Sequence, residues 1–136
     1  MSRRSIVVTA FGLALALSLA AWPALSERAI ADPVSAYPAN YQVLLENDCV
    51  RVMDFRLRKG DTERLHRHPA HVLYVLEGFE IEFTFADGSK GMRVAKAGDV
   101  LFSDPVEHSP VNVGRTDAHG ILIELKNPAL CPSAQR

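Results

Sequence analysis

Several kinds of chemistry are missing from this 136-residue sequence. It contains no Cys-x-x-Cys pair, no glycine-rich phosphate loop and no recognisable Ser-His-Asp order. The formal net charge is −1, so there is no basic excess of the kind that favours nucleic acid or an anionic membrane surface. Nucleophilic hydrolysis and nucleic-acid binding are therefore disfavoured, and the length allows one domain rather than two.

A sustained helical period is also missing after the N-terminal apolar segment. Short alternating runs replace it, and turn residues separate them. The clearest run covers residues 79–85, where apolar and polar side chains alternate strictly. This pattern predicts an all-β sandwich or barrel. The predicted strands are 41–46, 49–58, a histidine strand that follows the turn at 59–61 and ends at Pro69, 71–76, 79–85, one that includes Met92 and Val94, 100–102 and 118–126.

The N-terminal apolar segment has the organisation of a secretory signal peptide. Arg3 and Arg4 precede an uncharged apolar stretch at 6–21, and small-x-small patterns allow cleavage after Ser26 or Ala31. The two arginines also resemble a twin-arginine signal. We expect a periplasmic or secreted protein with no stable membrane association after cleavage. An uncleaved anchor is the alternative, because the uncharged stretch is long enough to span a bilayer.

Cysteine is scarce, with only Cys49 and Cys131. In an oxidising compartment the two can form a disulfide, which would close a long loop and stabilise the fold by a few kcal/mol. Two separate thiols are the alternative. Neither cysteine is a candidate nucleophile or metal ligand.

Histidine is concentrated in one short stretch. His66 and His68 are two residues apart, so on a strand both side chains point to the same face. Pro69 ends that strand, and His71 begins the next apolar run. His108 follows about forty residues later, after a Gly-Asp turn. Imidazoles that converge in a water-poor pocket are good ligands for zinc, iron, copper, nickel or manganese.

These histidines and the glycines around them resemble the two sequence motifs of the cupins. The first motif is Gly, five residues, His-x-His, three or four residues, Glu, six residues, Gly. The chain matches it with Gly60, His66, His68 and Gly78, and His71 takes the position of the Glu. The second motif is matched in order by Gly98, Pro105, His108 and Asn112, although its second glycine is missing and one spacing is a residue short.

The resemblance spans residues 41–126 and implies a small antiparallel β-barrel of the jelly-roll, double-stranded β-helix type. An irregular segment at 32–40 would precede the barrel, and a tail at 127–136 would follow it. The resemblance also implies a metal held by three of the histidines, with a fourth as a further candidate ligand or as a hydrogen-bonding neighbour. The three are His66, His68 and His108, and the fourth is His71.

A three-histidine site without the Glu resembles the iron-dependent thiol and diketone dioxygenases. We therefore expect an exported, metal-dependent oxidoreductase that acts on a small-molecule substrate, with iron slightly favoured over manganese, zinc, nickel or copper. The alternatives are a non-enzymatic binding protein for metal or ligand, a cupin lyase or isomerase, and a metal-free structural cupin. A homodimer is left open.

Other residues are weaker candidates. Tyr74 could donate a proton, because some cupin enzymes use a tyrosine near the metal, but packing within an apolar strand is the favoured role. His119 shares a strand face with apolar residues, which favours a core histidine with one hydrogen bond. Asn112 is expected to satisfy backbone groups near the site. The expected pocket walls are Phe79, Phe83, Phe102 and Ile121.

Overall fold

The computed structural model of the protein describes residues 30–127 and Cys131. Within that part of the chain, one short helix is followed by nine strands. In chain order they are α1 (Pro33–Ala36), β1 (Tyr41–Glu46), β2 (Val50–Leu57), β3 (His66–His68), β4 (His71–Glu77), β5 (Phe79–Phe85), β6 (Lys90–Ala95), β7 (Val100–Ser103), β8 (Val106–Asn112) and β9 (Ala118–Leu125).

The strands form two sheets whose neighbouring strands all pair antiparallel. The five-stranded sheet has the order β1-β2-β9-β4-β7, and the four-stranded sheet has the order β3-β8-β5-β6. The buried core draws Met53 and Leu122 from the first sheet and Phe79 and Ile81 from the second, so the two inner faces pack together. The predicted all-β, antiparallel barrel is confirmed.

Strand β8 lies between β3 and β5, although the sequence pattern does not predict it. Pro105 and Pro110 flank or interrupt this segment, and proline cannot donate to a sheet ladder. In the fold Pro105 precedes the strand, and Pro110 lies beyond the end of β3. There the Pro110 carbonyl accepts a hydrogen bond from the Glu63 amide at 3.0 Å. The missing N–H therefore costs the sheet little.

Strand β9 faces the core with a different set of residues from the one that the alternation predicts. His119 and Ile121 point away from the core, and Leu122 and Glu124 are buried instead. Register explains the phase, because Leu122 pairs with Met53 of β2 and with a core leucine of β4. Directly paired residues share a sheet face. Leu122 therefore joins the core, and every second residue of β9 joins it too.

The segment at 32–40 is not irregular throughout. Asp32 caps α1 by accepting a hydrogen bond from the Ser35 amide at 3.3 Å, and Pro33 occupies the first helical turn. Ala31 forms a parallel bridge with His66, and its carbonyl accepts from the Arg67 amide at 3.1 Å. The chain before β1 is thus fastened to the histidine strand.

Cys49 and Cys131 form a disulfide, with their Cα atoms 5.1 Å apart and a sequence separation of 82. Of the predicted signal segment at 1–31, only Ile30 and Ala31 are among the described residues, and of the tail at 127–136 only Asn127 and Cys131 are. Among the residues described, no helix has the length and apolar character needed to cross a bilayer.

Candidate metal centre

Strand register brings the histidines of two distant segments together. His66 of β3 pairs directly with His108 of β8, and His68 lies on the same face of β3 as His66. The ring centroids are 4.9 Å apart for His66 and His108 and 5.3 Å apart for His68 and His108. One nitrogen from each ring lies within 4.8 Å of the other two. The structure thus brings together the three residues predicted to hold a metal.

The hydrogen bonds of two of these rings fix which nitrogen carries the proton. Nδ1 of His66 lies 2.9 Å from the Arg64 carbonyl, and Nδ1 of His68 lies 2.7 Å from Oε1 of Glu124. Carbonyl and carboxylate oxygens only accept, so both Nδ1 atoms donate and both Nε2 atoms keep a lone pair. These Nε2 atoms face each other at 3.1 Å. Two lone pairs cannot hydrogen-bond to each other, but both can bind one cation at the usual bond length of about 2.0–2.1 Å.

The site also keeps its imidazoles neutral, which is the form that binds metal. Burial lowers the pKa of His68 and of His108 to about 2, and the neighbouring histidines act in the same direction. Burial lowers the pKa of His66 and His71 as well. The donor set therefore suits a transition-metal ion.

Glu124 is a buried carboxylate that sequence reasoning missed. Its side chain is 1% exposed and accepts from His68 on one oxygen. Its other oxygen accepts from Nε of Arg51 at 2.7 Å, and Arg51 also contacts Asp32 at 2.5 Å. Burial raises the pKa of Glu124, although Arg51 acts in the opposite direction. Glu124 could have been found from the sequence as a charged residue two positions after Leu122, on the same face of the strand. That inference requires knowing which face of β9 is buried.

Glu63 is a second buried carboxylate, also 1% exposed, in the turn before β3. It accepts from Nδ2 of Asn40 at 2.6 Å and from the hydroxyl of Tyr41 at 3.0 Å. Its Oε2 lies 3.6 Å from Nε2 of His66, on the side of the ring that offers the lone pair. Among the described residues, no lysine or arginine forms an ion pair with it. No motif or alternation in the sequence marks Glu63 as a site residue.

No family model matches the sequence, and no curated protein matches it. Solved structures do match. A cupin domain from Bordetella pertussis superposes with a TM-score of 0.58 at 22% identity, over 64% of this chain and 92% of that one. The chain has the cupin fold. A double-stranded β-helix protein from Klebsiella pneumoniae (TM-score 0.50, 24% identity, 64% and 76% covered) has it too, as does an RmlC-like cupin from Methanocaldococcus jannaschii (0.51, 15%, 65% and 81%).

The cupin barrel places the remaining motif residues near the histidines. His71, at the motif position of the Glu, is 6% exposed, and its ring centroid lies 5.2 Å from that of His68. Its Nδ1 donates to the Pro69 carbonyl at 2.9 Å, and it is not one of the three residues whose ligand atoms converge. Asn112 donates to two backbone carbonyls at 2.9 Å each, as expected of a residue that satisfies backbone groups.

Two weaker candidates lie on the outside of the cupin barrel. Tyr74 is three residues from His71, an odd offset on a strand, so it points to the opposite face and is 44% exposed. A proton-donor role at the metal is therefore not available to it. His119 is not a core histidine, because it occupies the outward phase of β9. There Nε2 of His119 and Oδ2 of Asp54 are 3.1 Å apart.

A cavity of about 350 Å³ opens beside His68, His71 and His108. Most of its wall is apolar and comes from both sheets. Three of the four predicted wall residues line it, but Ile121 does not, because the phase of β9 puts Leu122 there instead. The lining includes Tyr41, Phe55, Leu73, Phe79, Ile81, Phe83, Phe85, Phe102 and Leu122. Such a cavity suits a small ligand.

Proposed function

We propose that this cupin is a metal-dependent enzyme acting on a small molecule, with dioxygenase-type oxidation as the leading reaction class. The observation that carries the proposal is the convergence of three imidazole nitrogens beside an apolar cavity. His66, His68 and His108 would hold the ion. Because these ligands carry no charge, a divalent ion bound there would be a strong Lewis acid with open positions for substrate and dioxygen.

The donor set is compatible with iron, manganese, zinc, nickel or copper. Iron is slightly favoured because the three-histidine motif without the Glu resembles that of the iron-dependent dioxygenases. Glu124 supports the assignment of His68 as a metal ligand, because it fixes the tautomer and orientation of that ring. The apolar walls would exclude water from the reacting molecule.

A non-oxidative lyase or isomerase is the second candidate, and one contact favours it. Tyr41 lines the cavity, and its hydroxyl donates to the buried carboxylate of Glu63 at 3.0 Å. Burial and that carboxylate raise the pKa of Tyr41 well above its usual value, so the phenol holds its proton at neutral pH. Tyr41, rather than Tyr74, is the phenol on the cavity wall, and its hydrogen bond to Glu63 would let the pair take part in proton transfer with a bound molecule.

The test of the metal site is a comparison of three single variants, His108→Ala, His71→Ala and His119→Ala. Elemental analysis and thermal shift with added metal are measured for each, with circular dichroism to check folding. We expect His108→Ala to lose metal, because two ligands on one strand cannot close the site. His71→Ala should keep most of it, and His119→Ala should match wild type. Metal loss in His119→Ala with retention in His108→Ala would contradict the proposed ligand set.

Reaction class is tested separately on metal-loaded protein. Oxygen uptake with a panel of small organic substrates is the readout for the leading class. Turnover without oxygen uptake that is abolished by Tyr41→Phe would instead favour the lyase or isomerase. Stoichiometric metal with no turnover of either kind would favour a binding protein.

We also propose export, with signal cleavage after Ser26 rather than after Ala31. The Ala31 carbonyl accepts from the Arg67 amide, and Asp32 caps α1 and binds Arg51. Cleavage after Ala31 would remove the first contact and put a charged amine on the capping residue. N-terminal sequencing of native protein decides the site, and an intact Met1 in the cytosolic fraction would contradict export.

A further inference from the structure

Arg93 of β6 is a cation on the cavity wall. Its Nη1 donates to Oγ of Ser103 at 3.1 Å, and its Cζ lies 6.0 Å from the centre of the Phe83 ring. Among the described residues no aspartate or glutamate forms an ion pair with it. A guanidinium carries more N–H donors than the single one that Ser103 accepts, so donors remain for a ligand.

Among the described residues that line the cavity, Arg93 is the only lysine or arginine. Asp104 is the only carboxylate among the described residues of the lining, but it is exposed and forms no ion pair with Arg93. Glu63 and Glu124 do not line the cavity. The cavity therefore presents one cation against apolar walls, and a bound metal ion would add positive charge.

Arg93 also lies close to the histidines. The Phe83 ring contacts Arg93 on β6 and has its centroid 4.8 Å from that of His108. The Phe83 ring is thus next to both the guanidinium and the His108 imidazole. A ligand anchored on Arg93 would extend along Phe83 towards the histidines.

We propose that the cavity binds a small organic monoanion, whose carboxylate is held by Arg93 and Ser103 and whose apolar body packs on the phenylalanine rings. The planar fork of a guanidinium matches a carboxylate. One arginine and one hydroxyl give too few donors for a doubly charged phosphate. The cavity volume of about 350 Å³ limits the body to a short chain or a single ring. This inference rests on the proposed function only for treating the bound anion as a substrate.

The experiment is calorimetric titration with hexanoate and phenylacetate, each compared with its neutral amide. The proteins are wild type, Arg93→Met, Arg93→Lys and, as a matched control, Arg56→Met, which removes an exposed arginine that pairs with Asp54 outside the cavity. We expect wild type and the control to bind a carboxylate about 10- to 100-fold more tightly than its amide. Arg93→Met should abolish this preference, and Arg93→Lys should keep part of it because the charge remains.

Several results would overturn the inference. They are equal binding of carboxylate and amide, an unchanged preference in Arg93→Met, tighter binding of inorganic phosphate, or no binding of any probe at about 10 mM. Metal content, measured on every sample, separates this inference from the proposed function. Arg93-dependent binding to a protein that takes up no metal would support the anion site and contradict the proposed metal-dependent enzyme. Stoichiometric metal without anion preference would do the reverse.

Discussion

Two buried carboxylates flank the histidine cluster, and their partners differ. Glu124 and Glu63 are both 1% exposed, and each lies beside one of the histidines of β3. Glu124 has a cationic partner, because Arg51 contacts it at 2.6 Å. Glu63 has two neutral donors, the amide of Asn40 and the hydroxyl of Tyr41.

This difference separates two roles that one kind of side chain can have. A buried carboxylate that already has a cation is satisfied in the metal-free chain, so it can orient His68 before any ion arrives. A buried carboxylate with neutral donors only lacks a counter-charge, and burying it alone is costly. For Glu63 the nearest place for that counter-charge is the space in front of Nε2 of His66, 3.6 Å away. Glu124 thus preorganises the site before an ion binds, whereas the negative charge of Glu63 is balanced only when a cation binds there.

Arg51→Met should have the largest effect, because it breaks the buried ion pair between Arg51 and Glu124. The substitution leaves Glu124 buried without a cation, and removing one partner of a buried ion pair costs about 3–5 kcal/mol of the free energy of unfolding. Urea denaturation of the metal-free protein measures this loss. Arg56→Met is the matched control, since its ion pair is largely exposed and should be worth no more than about 1 kcal/mol. Equal losses in the two variants would show that Glu124 is not held as a charged partner.

Lowering the pH should destabilise the metal-free protein. The pKa of His68 and His108 is lowered to about 2 from an ordinary value of 6.5. Below pH 6.5 the unfolded chain takes up protons that the buried imidazoles exclude, so the free energy of unfolding falls as the pH falls. Each of the two histidines contributes a loss of up to about 1.4 kcal/mol per pH unit. Urea denaturation between about pH 7.5 and about pH 5 measures the slope.

The two carboxyls act in the opposite direction in the same experiment. Burial raises the pKa of Glu63 and Glu124 above 4.5, so protonating them favours the folded state and reduces the slope in the lower part of the range. Bound metal should flatten the slope as well, because it competes with protons for the imidazole lone pairs. A metal-free protein whose stability does not fall below pH 6.5 would contradict the neutral histidine cluster.

Glu63→Gln should act on metal binding more than on folding. The amide removes the negative charge near His66, and we expect about 10- to 100-fold weaker metal affinity, measured by competition with a chelator. The metal-free stability should change by no more than about 1–2 kcal/mol, because one lost hydrogen bond is offset by the removal of a buried charge. Glu107→Gln is the control, since Glu107 pairs with Arg67 on the outer face. Unchanged affinity in Glu63→Gln would mean that Glu63 has only a structural role.

The parts of the fold that sequence could predict are those with a clean local signal. In β5 the alternation of Phe79 and Ile81 with glutamates gives the correct inner face, and the spacing of His66 and His68 gives the correct shared face. Strand β8 could not be predicted, because Pro110 is tolerated only where a neighbouring strand has already ended. Such tolerance is a property of the assembled sheet.

The site was predictable only where its residues are histidines. The motif spacing brought His108 to the other two, and the fold agrees with that placement. Glu124 was hidden by the phase of β9, which has apolar side chains on both faces and is fixed by its pairing with β2 and β4. Glu63 was hidden because its partners, Asn40 and Tyr41, come from more than twenty residues earlier in the chain.

The smallest effect is expected for Asp32→Asn. This variant tests whether the ion pair between Arg51 and Glu124 depends on Asp32 as well. Asp32 contacts Arg51 at 2.5 Å but is 39% exposed, so solvent screens the ion pair and its contribution should be at most about 1 kcal/mol. Asparagine also preserves the cap of α1. Urea denaturation should therefore show a small loss, and metal affinity should not change, because Arg51 still neutralises Glu124. A loss as large as that of Arg51→Met would place the main anchor of the site in the segment before β1 rather than in the barrel.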